Sequence, residues 1–204
     1  MTIEGFILVG GASSRMGSDK AQLYLDGRSF VERVAGALSS VAARVSLVGA
    51  SSAAAAAGVQ TTGLPFVPDV YEKWGALGGL HAALCACRAP WAAVVACDLP
   101  YVTGGLFERL ATLRENFDAV VPVQSDARLQ PLCALYAVEP CRRRAEELIA
   151  SDERRPRALL RAVRARRVAS SELADLEGAP LFFMNINTPE DYAQAMKAVI
   201  SDKG

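Results

Sequence analysis

Short apolar runs alternate along the chain with stretches whose apolar residues recur every three or four positions. Ile3 to Val9 is largely apolar and stops at Gly10-Gly11, which predicts a buried strand. Ser29-Phe30-Val31-Glu32 reads as a capping box, and Val31, Val34, Leu38 and Val41 follow at helical spacing. "RVSLVG", Arg44 to Gly49, predicts a second strand. The alanine run Ala53 to Ala57, closed by Gly58, suits a short helix. Leu64 to Asp69 carries a third strand, which its prolines place near an edge or an end.

The second half continues the alternation. Leu77, Leu80, Leu84 and Cys87 form one helical stripe, and Trp91 to Ala96 is a continuous apolar strand. Thr103 can cap a helix that buries Leu106, Phe107, Leu110 and Leu113. Strands are expected over Asp118 to Val123 and Gln130 to Val138, and helices around Pro140 to Ala150 and Pro156 to Val163. Leu181 to Met184 reads as a last short strand. Thr188, Pro189, Glu190 and Asp191 then start a final helix running to about Ile200. Strands apolar on both faces, alternating with helices, indicate an α/β class. The expected architecture is one doubly wound domain over 1–204, a mostly parallel, Rossmann-like sheet with helices on both faces.

Composition narrows the class further. The formal net charge is zero, so no global field draws the chain to nucleic acid or membrane. No apolar run reaches membrane-spanning length, and Met1 to Gly10 lacks the pattern of a signal peptide. Cys85, Cys87, Cys97, Cys133 and Cys141 are odd in number without a C-x-x-C pair, which suggests buried free thiols in a reducing cytoplasm. The single histidine, His81, is expected to pack or to make a structural hydrogen bond; a histidine-based metal cage would rest on it alone. Ten arginines between Arg142 and Arg167 face four acids. A solvated helix face explains them, and docking of an acidic partner or an anionic substrate is the functional reading.

In a sheet of this type ligands sit outside the carboxyl ends of the strands, where strand order reverses. Three loops follow such ends. "LVGGASSRMGSDK" (Leu8 to Lys20) fits neither a Walker loop nor a dinucleotide fingerprint. Gly10 and Gly11 let backbone approach a bulky ligand, while Arg15 and Lys20 bring two positive charges suited to a triphosphate. Asp98 follows "WAAVVAC" and can hold Mg²⁺ or simply cap a turn. Asp69 can bind a ribose, a base or a second metal, or act as a turn residue. Gly78 and Gly79 leave room for a ligand against a helix N-terminus.

Together these segments carry a resemblance. "LVGGASSRMGSDKAQLYLDG" resembles the L-x-G-G-x-S-x-R-M-G-x-D-K signature of the molybdopterin nucleotidyltransferase family, which matures the molybdenum cofactor. "VPDVYEKWGALGGLHAAL", "VVACDLPYV", "LQPLCALY" and "FFMNINTPEDY" extend the match in order across nearly the whole chain. Gly10-Gly11 is similar to the guanylyl branch, where cytidylyl relatives usually have alanine-glycine.

The resemblance implies GMP transfer from GTP to molybdopterin with release of pyrophosphate. Leu8, Val9, Gly10 and Gly11 would lie along the nucleotide, together with Gly78 and Gly79, and Asp69 would contact the nucleoside. Arg15 and Lys20 would meet the phosphates, Asp98 would bind Mg²⁺, and Asn185 and Asn187 would lie near the pterin phosphate. The implied catalytic residues are therefore Arg15, Lys20 and Asp98. Transient contact with cofactor-synthesis proteins or acceptor molybdoenzymes would accompany this activity.

Val9 replaces a usual alanine, Ala76 stands where proline is frequent, and "VGASS" lacks a nucleoside-contacting asparagine. A cytidylyltransferase and a sugar-phosphate nucleotidyltransferase are the alternatives among enzymes. A nucleotide-binding partner protein without turnover is the alternative from another class.

Overall fold

The most apolar run of the chain, Trp91 to Ala96, is the central strand of a seven-stranded sheet in the computed structural model. The structure describes residues 2–9, 23–50, 62–71, 74–186, 188 and 190–193. Its elements begin with β1 (Ile3–Leu8), the short strands β2 (Tyr24–Leu25) and β3 (Arg28–Ser29), and α1 (Phe30–Leu38). Then come β4 (Val45–Gly49), β5 (Phe66–Pro68), α2 (Gly75–Ala86), β6 (Trp91–Ala96) and α3 (Gly104–Thr112). The last are β7 (Ala119–Pro122), β8 (Cys133–Ala137), α4 (Val138–Ala150), α5 (Pro156–Ala162) and β9 (Ala165–Val168).

The sheet order is β5-β4-β1-β6-β8-β7-β9. All neighbouring pairs are parallel except those of β8, which runs antiparallel to both β6 and β7. Alternation along the strands sorts side chains to two faces. Ile3, Ile7 and Val9 pack with α1 and α3 residues such as Val34, Leu38, Phe107 and Leu110. Phe6 and Leu8 pack with Leu77, Leu80 and Leu84 of α2 and Ile149 of α4. Both faces are therefore covered, which is why the strands read as continuous apolar runs.

The capping box forms as the spacing predicts. Ser29 Oγ accepts from the Glu32 amide at 3.2 Å, and Glu32 Oε2 accepts from the Ser29 amide at 2.7 Å. At the far end of the chain, Thr188 Oγ1 accepts from the Asp191 amide at 3.1 Å while Asp191 Oδ2 accepts from the Thr188 amide at 2.9 Å.

Other expectations are corrected. Leu181 to Met184 is not a strand. A 3₁₀ turn over Ala179–Leu181 overlaps its start, and Phe182 is fully buried in the cluster that holds Leu106, Phe107 and Leu110 of α3. Strand β9 was hidden in the arginine-rich segment. The β2–β3 hairpin turns on Asp26 and Gly27, both at positive φ, the combination an Asp-Gly turn favours. All five cysteines are free thiols, but only Cys97, Cys133 and Cys141 are buried, and Cys85 is exposed. The alanine run Ala53 to Ala57 lies outside the described residues. No described helix is long and apolar enough to cross a membrane.

Candidate active site

From β1 the chain moves outward to β4 and β5, then returns to lay β6 on the other flank of β1. The carboxyl ends of β1 and β6 therefore meet where strand order reverses. Leu8 and Ala96 are in register, and the Cys97 amide donates to the Leu8 carbonyl at 3.1 Å. This bond brings half-buried Asp98 to the carboxyl end of β1. On the other flank, the Asp69 amide donates to the Gly49 carbonyl at 2.8 Å, which places Asp69 at the end of β5. Its Oδ1 atom is shielded from solvent.

Leu8 and Val9 are both buried, so they would offer a ligand their backbone rather than their side chains. The Val9 amide is already committed to the Val48 carbonyl at 2.8 Å. Gly49 shows how tightly β1 exits: a methyl group on it would lie 2.1 Å from the Val9 carbonyl oxygen.

The two helix glycines part company. Helix α2 opens at Gly75, whose φ is +67°, so Gly78 and Gly79 lie one turn inside it. A methyl on Gly79 would meet Leu8 at 3.6 Å and Asp69 Oδ1 at 3.7 Å, so this glycine faces the space between β1 and Asp69. A methyl on Gly78 would approach Trp74 Cβ to 2.7 Å, so Gly78 accommodates the Trp74 turn.

Two residues hold the Asp98 loop: Arg33, outside every quoted motif, and Ile186, inside "FFMNINTPEDY" but given no role there. Arg33, from α1, donates through Nε to the Pro100 carbonyl at 3.0 Å and through Nη1 to the Leu25 carbonyl at 3.4 Å. The Ile186 amide donates to the Asp98 carbonyl at 3.2 Å, and its side chain is buried with Leu25, Phe30 and Tyr101. Ile186 thereby seats exposed Asn185 beside the Asp98 loop. The capping box puts Arg33 one turn into α1, but no sequence pattern signals its partners.

Gly10, Gly11, Arg15, Lys20 and Asn187 lie outside the described residues. His81 is buried and packs its ring 5.3 Å from that of Tyr71. Arginines of the basic segment pair with acids: Arg142 with Glu139 and Glu146, Arg155 with Glu153, and Arg164 with Asp118. That is the pattern of a solvated, ion-paired surface. A depression of about 450 Å³ beside Trp91, Phe117 and Arg164 opens at the amino ends of β6 and β7, opposite the chemistry-bearing loops.

Residues 5–169 match the family model of the MobA-like NTP transferase domain. The chain is 35% identical over 195 residues to a probable molybdenum cofactor guanylyltransferase of Pelotomaculum thermopropionicum, covering 94% of this chain and 90% of the relative. It is 30% identical over 203 residues to the molybdenum cofactor guanylyltransferase of Desulfosudis oleivorans, covering 97% and 96%. The fold superposes with a TM-score of 0.82 on the crystal structure of molybdopterin-guanine dinucleotide biosynthesis protein A from Archaeoglobus fulgidus, at 26% identity and 97% and 99% coverage.

Proposed function

Because the chain belongs to the MobA-like NTP transferase family, we propose that it transfers GMP from GTP to molybdopterin with release of pyrophosphate. The observation that carries the reading is the junction of β1 and β6. The Cys97–Leu8 bond brings the turn that carries Asp98 to the last residue of β1, after which the chain runs on into Gly10-Gly11. A nucleotide laid across these strand ends would meet Leu8, Val9, Gly10 and Gly11 along its length. Asp69 and Gly79 would border the nucleoside, and Asn185 and Asn187 would border the phosphate of molybdopterin.

In the reaction a terminal phosphate oxygen of molybdopterin attacks the α-phosphorus of GTP, and the bond to the pyrophosphate leaving group breaks. The attacking phosphate is ionised near neutral pH, so no general base is required. Arg15 and Lys20 neutralise the triphosphate and hold it for in-line attack. The donor chemistry at Asp98, a hard carboxylate oxygen at a strand end, fits Mg²⁺. When bound, that ion would supply charge stabilisation to the bridging phosphates. Asp69 and Asp98 follow strands three spacings apart, about 14 Å, so they suit different parts of one extended ligand. Arg33 keeps the backbone after Asp98 in place, and Ile186 ties the segment carrying Asn185 to the same loop.

Pyrophosphate release from GTP by the purified chain, with Mg²⁺ and molybdopterin, tests the reading. Release that needs all three components is expected. Equal or faster release with CTP would move the chain to the cytidylyl branch, and binding of GTP without release would make it a partner protein.

A further inference from the structure

We propose that His81, Cys85 and Glu146 form a binding site for a borderline-soft divalent transition metal of the Zn²⁺ class, separate from the Asp98 site. His81 and Cys85 stand four residues apart on α2, so they share one face of the helix. Helix α4 packs against α2 and carries Glu146 to the same point. His81 Nε2 lies 3.3 Å from Cys85 Sγ and 3.5 Å from Glu146 Oε1. One donor atom from each residue falls within 4.8 Å of the others.

Those separations are informative. Tetrahedral zinc has bonds of about 2.0 Å to nitrogen and oxygen and 2.3 Å to sulfur, which set neighbouring ligand atoms about 3.3–3.6 Å apart. The two separations from His81 Nε2 thus already stand at ligand spacing, and the thiol and the carboxylate lie within 4.8 Å of each other. The thiol lies 3.8 Å from Nδ1 as well, over the ring rather than along the Nε2 lone pair, so Cys85 and the ring rotate relative to each other when a metal enters. Three protein ligands of nitrogen, sulfur and oxygen leave a fourth position for water.

Charge favours the same occupant. A thiolate and a carboxylate offset a divalent ion, so a metal that replaces the thiol proton leaves the cluster neutral. Without one, the partial burial of the thiol and the Glu146 charge push the Cys85 pKa above its ordinary value, so the thiol keeps its proton. Arg142 donates to Glu146 Oε1 at 2.7 Å and to Glu139 Oε2 at 3.1 Å, so Glu139 retains the guanidinium when a metal takes the Glu146 oxygen. Mg²⁺ is a poor competitor because it prefers oxygen ligands to thiolate.

The site also has a mechanical consequence. His81 is buried against Tyr71, in the segment that follows Asp69, and the Tyr71 ring lies 6.2 Å from that of Trp74. A metal bridging α2 and α4 would fix the wall on which this segment rests.

The test uses the untagged full chain with Co²⁺ as a spectroscopic probe and Zn²⁺ as competitor, each without nucleotide. Expected are a thiolate-to-cobalt charge-transfer band in the near ultraviolet, its loss on adding equimolar Zn²⁺, and its persistence in excess Mg²⁺. Cys85→Ser should abolish the band. Glu146→Gln, at a partly exposed position, should fold normally and weaken Zn²⁺ binding about tenfold or more, since even outer-shell changes at metal sites cost that much. Absence of the band in the folded wild-type chain overturns the proposal. So does an undiminished band in Cys85→Ser, or unchanged Zn²⁺ affinity in Glu146→Gln.

Discussion

Asp98 follows a strand with no polar residue, and the backbone bond from Cys97 to Leu8 sets it at the carboxyl end of β1. Asp98→Asn keeps the shape and removes the charge. Pyrophosphate release should fall about a hundredfold or more, the scale of losing a major electrostatic contact in a transition state. The melting temperature should barely change, because the group stands at the rim of the sheet. Near-normal release from this folded variant across a Mg²⁺ titration would remove Asp98 from the mechanism. Gly49 makes the opposite prediction. In Gly49→Ala the added methyl meets the Val9 carbonyl oxygen at 2.1 Å, where neither strand can yield cheaply. Stability should drop by about 1–3 kcal/mol, as overpacked sites do, and equilibrium denaturation would read it. The roles of glycines illustrate what sequence can and cannot convey. "GALGGL" announces close packing, but only the structure separates Gly79, which borders Asp69, from Gly78, which borders Trp74.

At the scale of elements, α1 does more than cover the sheet. It carries Arg33 to the Pro100 carbonyl, so the helix and the Asp98 loop move together. Arg33→Met should lower kcat about ten- to a hundredfold, the cost of displacing a reacting group by a fraction of an ångström to an ångström. KM for GTP should change less, and the Mg²⁺ concentration giving half-maximal rate should rise. An unchanged Mg²⁺ requirement would reduce Arg33 to a purely structural tie. A second tie joins β7 and β9, where Asp118 accepts from the Arg164 amide at 3.0 Å and from its guanidinium at 3.0 Å. Arg164 holds the Asp118 carboxyl below its ordinary value. The stabilisation is therefore complete above pH about 4, the unfolded value, and is lost as pH falls through the lowered one. Acid unfolding of Asp118→Asn should lack this part of the transition.

Helices and central strands were legible because their apolar periods are long. The failures have physical reasons. "LFFM" is too short for periodicity to separate a strand from a turn, and Gly178 at φ +77° followed by Pro180 bends the chain so that Phe182 drops into the core. Strand β9 is half-exposed and contains Arg166 and Arg167, so its sequence looks like surface.

For the whole molecule, family membership over residues 5–169 and the order of the sheet point to one nucleotide lying across one switch point. Calorimetry should find GTP bound more tightly than ATP, CTP or UTP, and Gly11→Ala should weaken GTP more than it weakens pyrophosphate. Equal affinities for the four nucleotides would count against a guanine pocket. The antiparallel strand β8 has a consequence of another kind. It slots between β6 and β7, although it is made after both. On the ribosome, the Trp91–Ala96 edge must wait for about forty further residues before Cys133–Ala137 can close it. At roughly 5–20 residues per second that delay is about 2–8 s. Throughout it, the most apolar strand of the chain presents an open edge in the crowded space around the exit tunnel, and a chaperone that binds extended apolar segments would find its best target there.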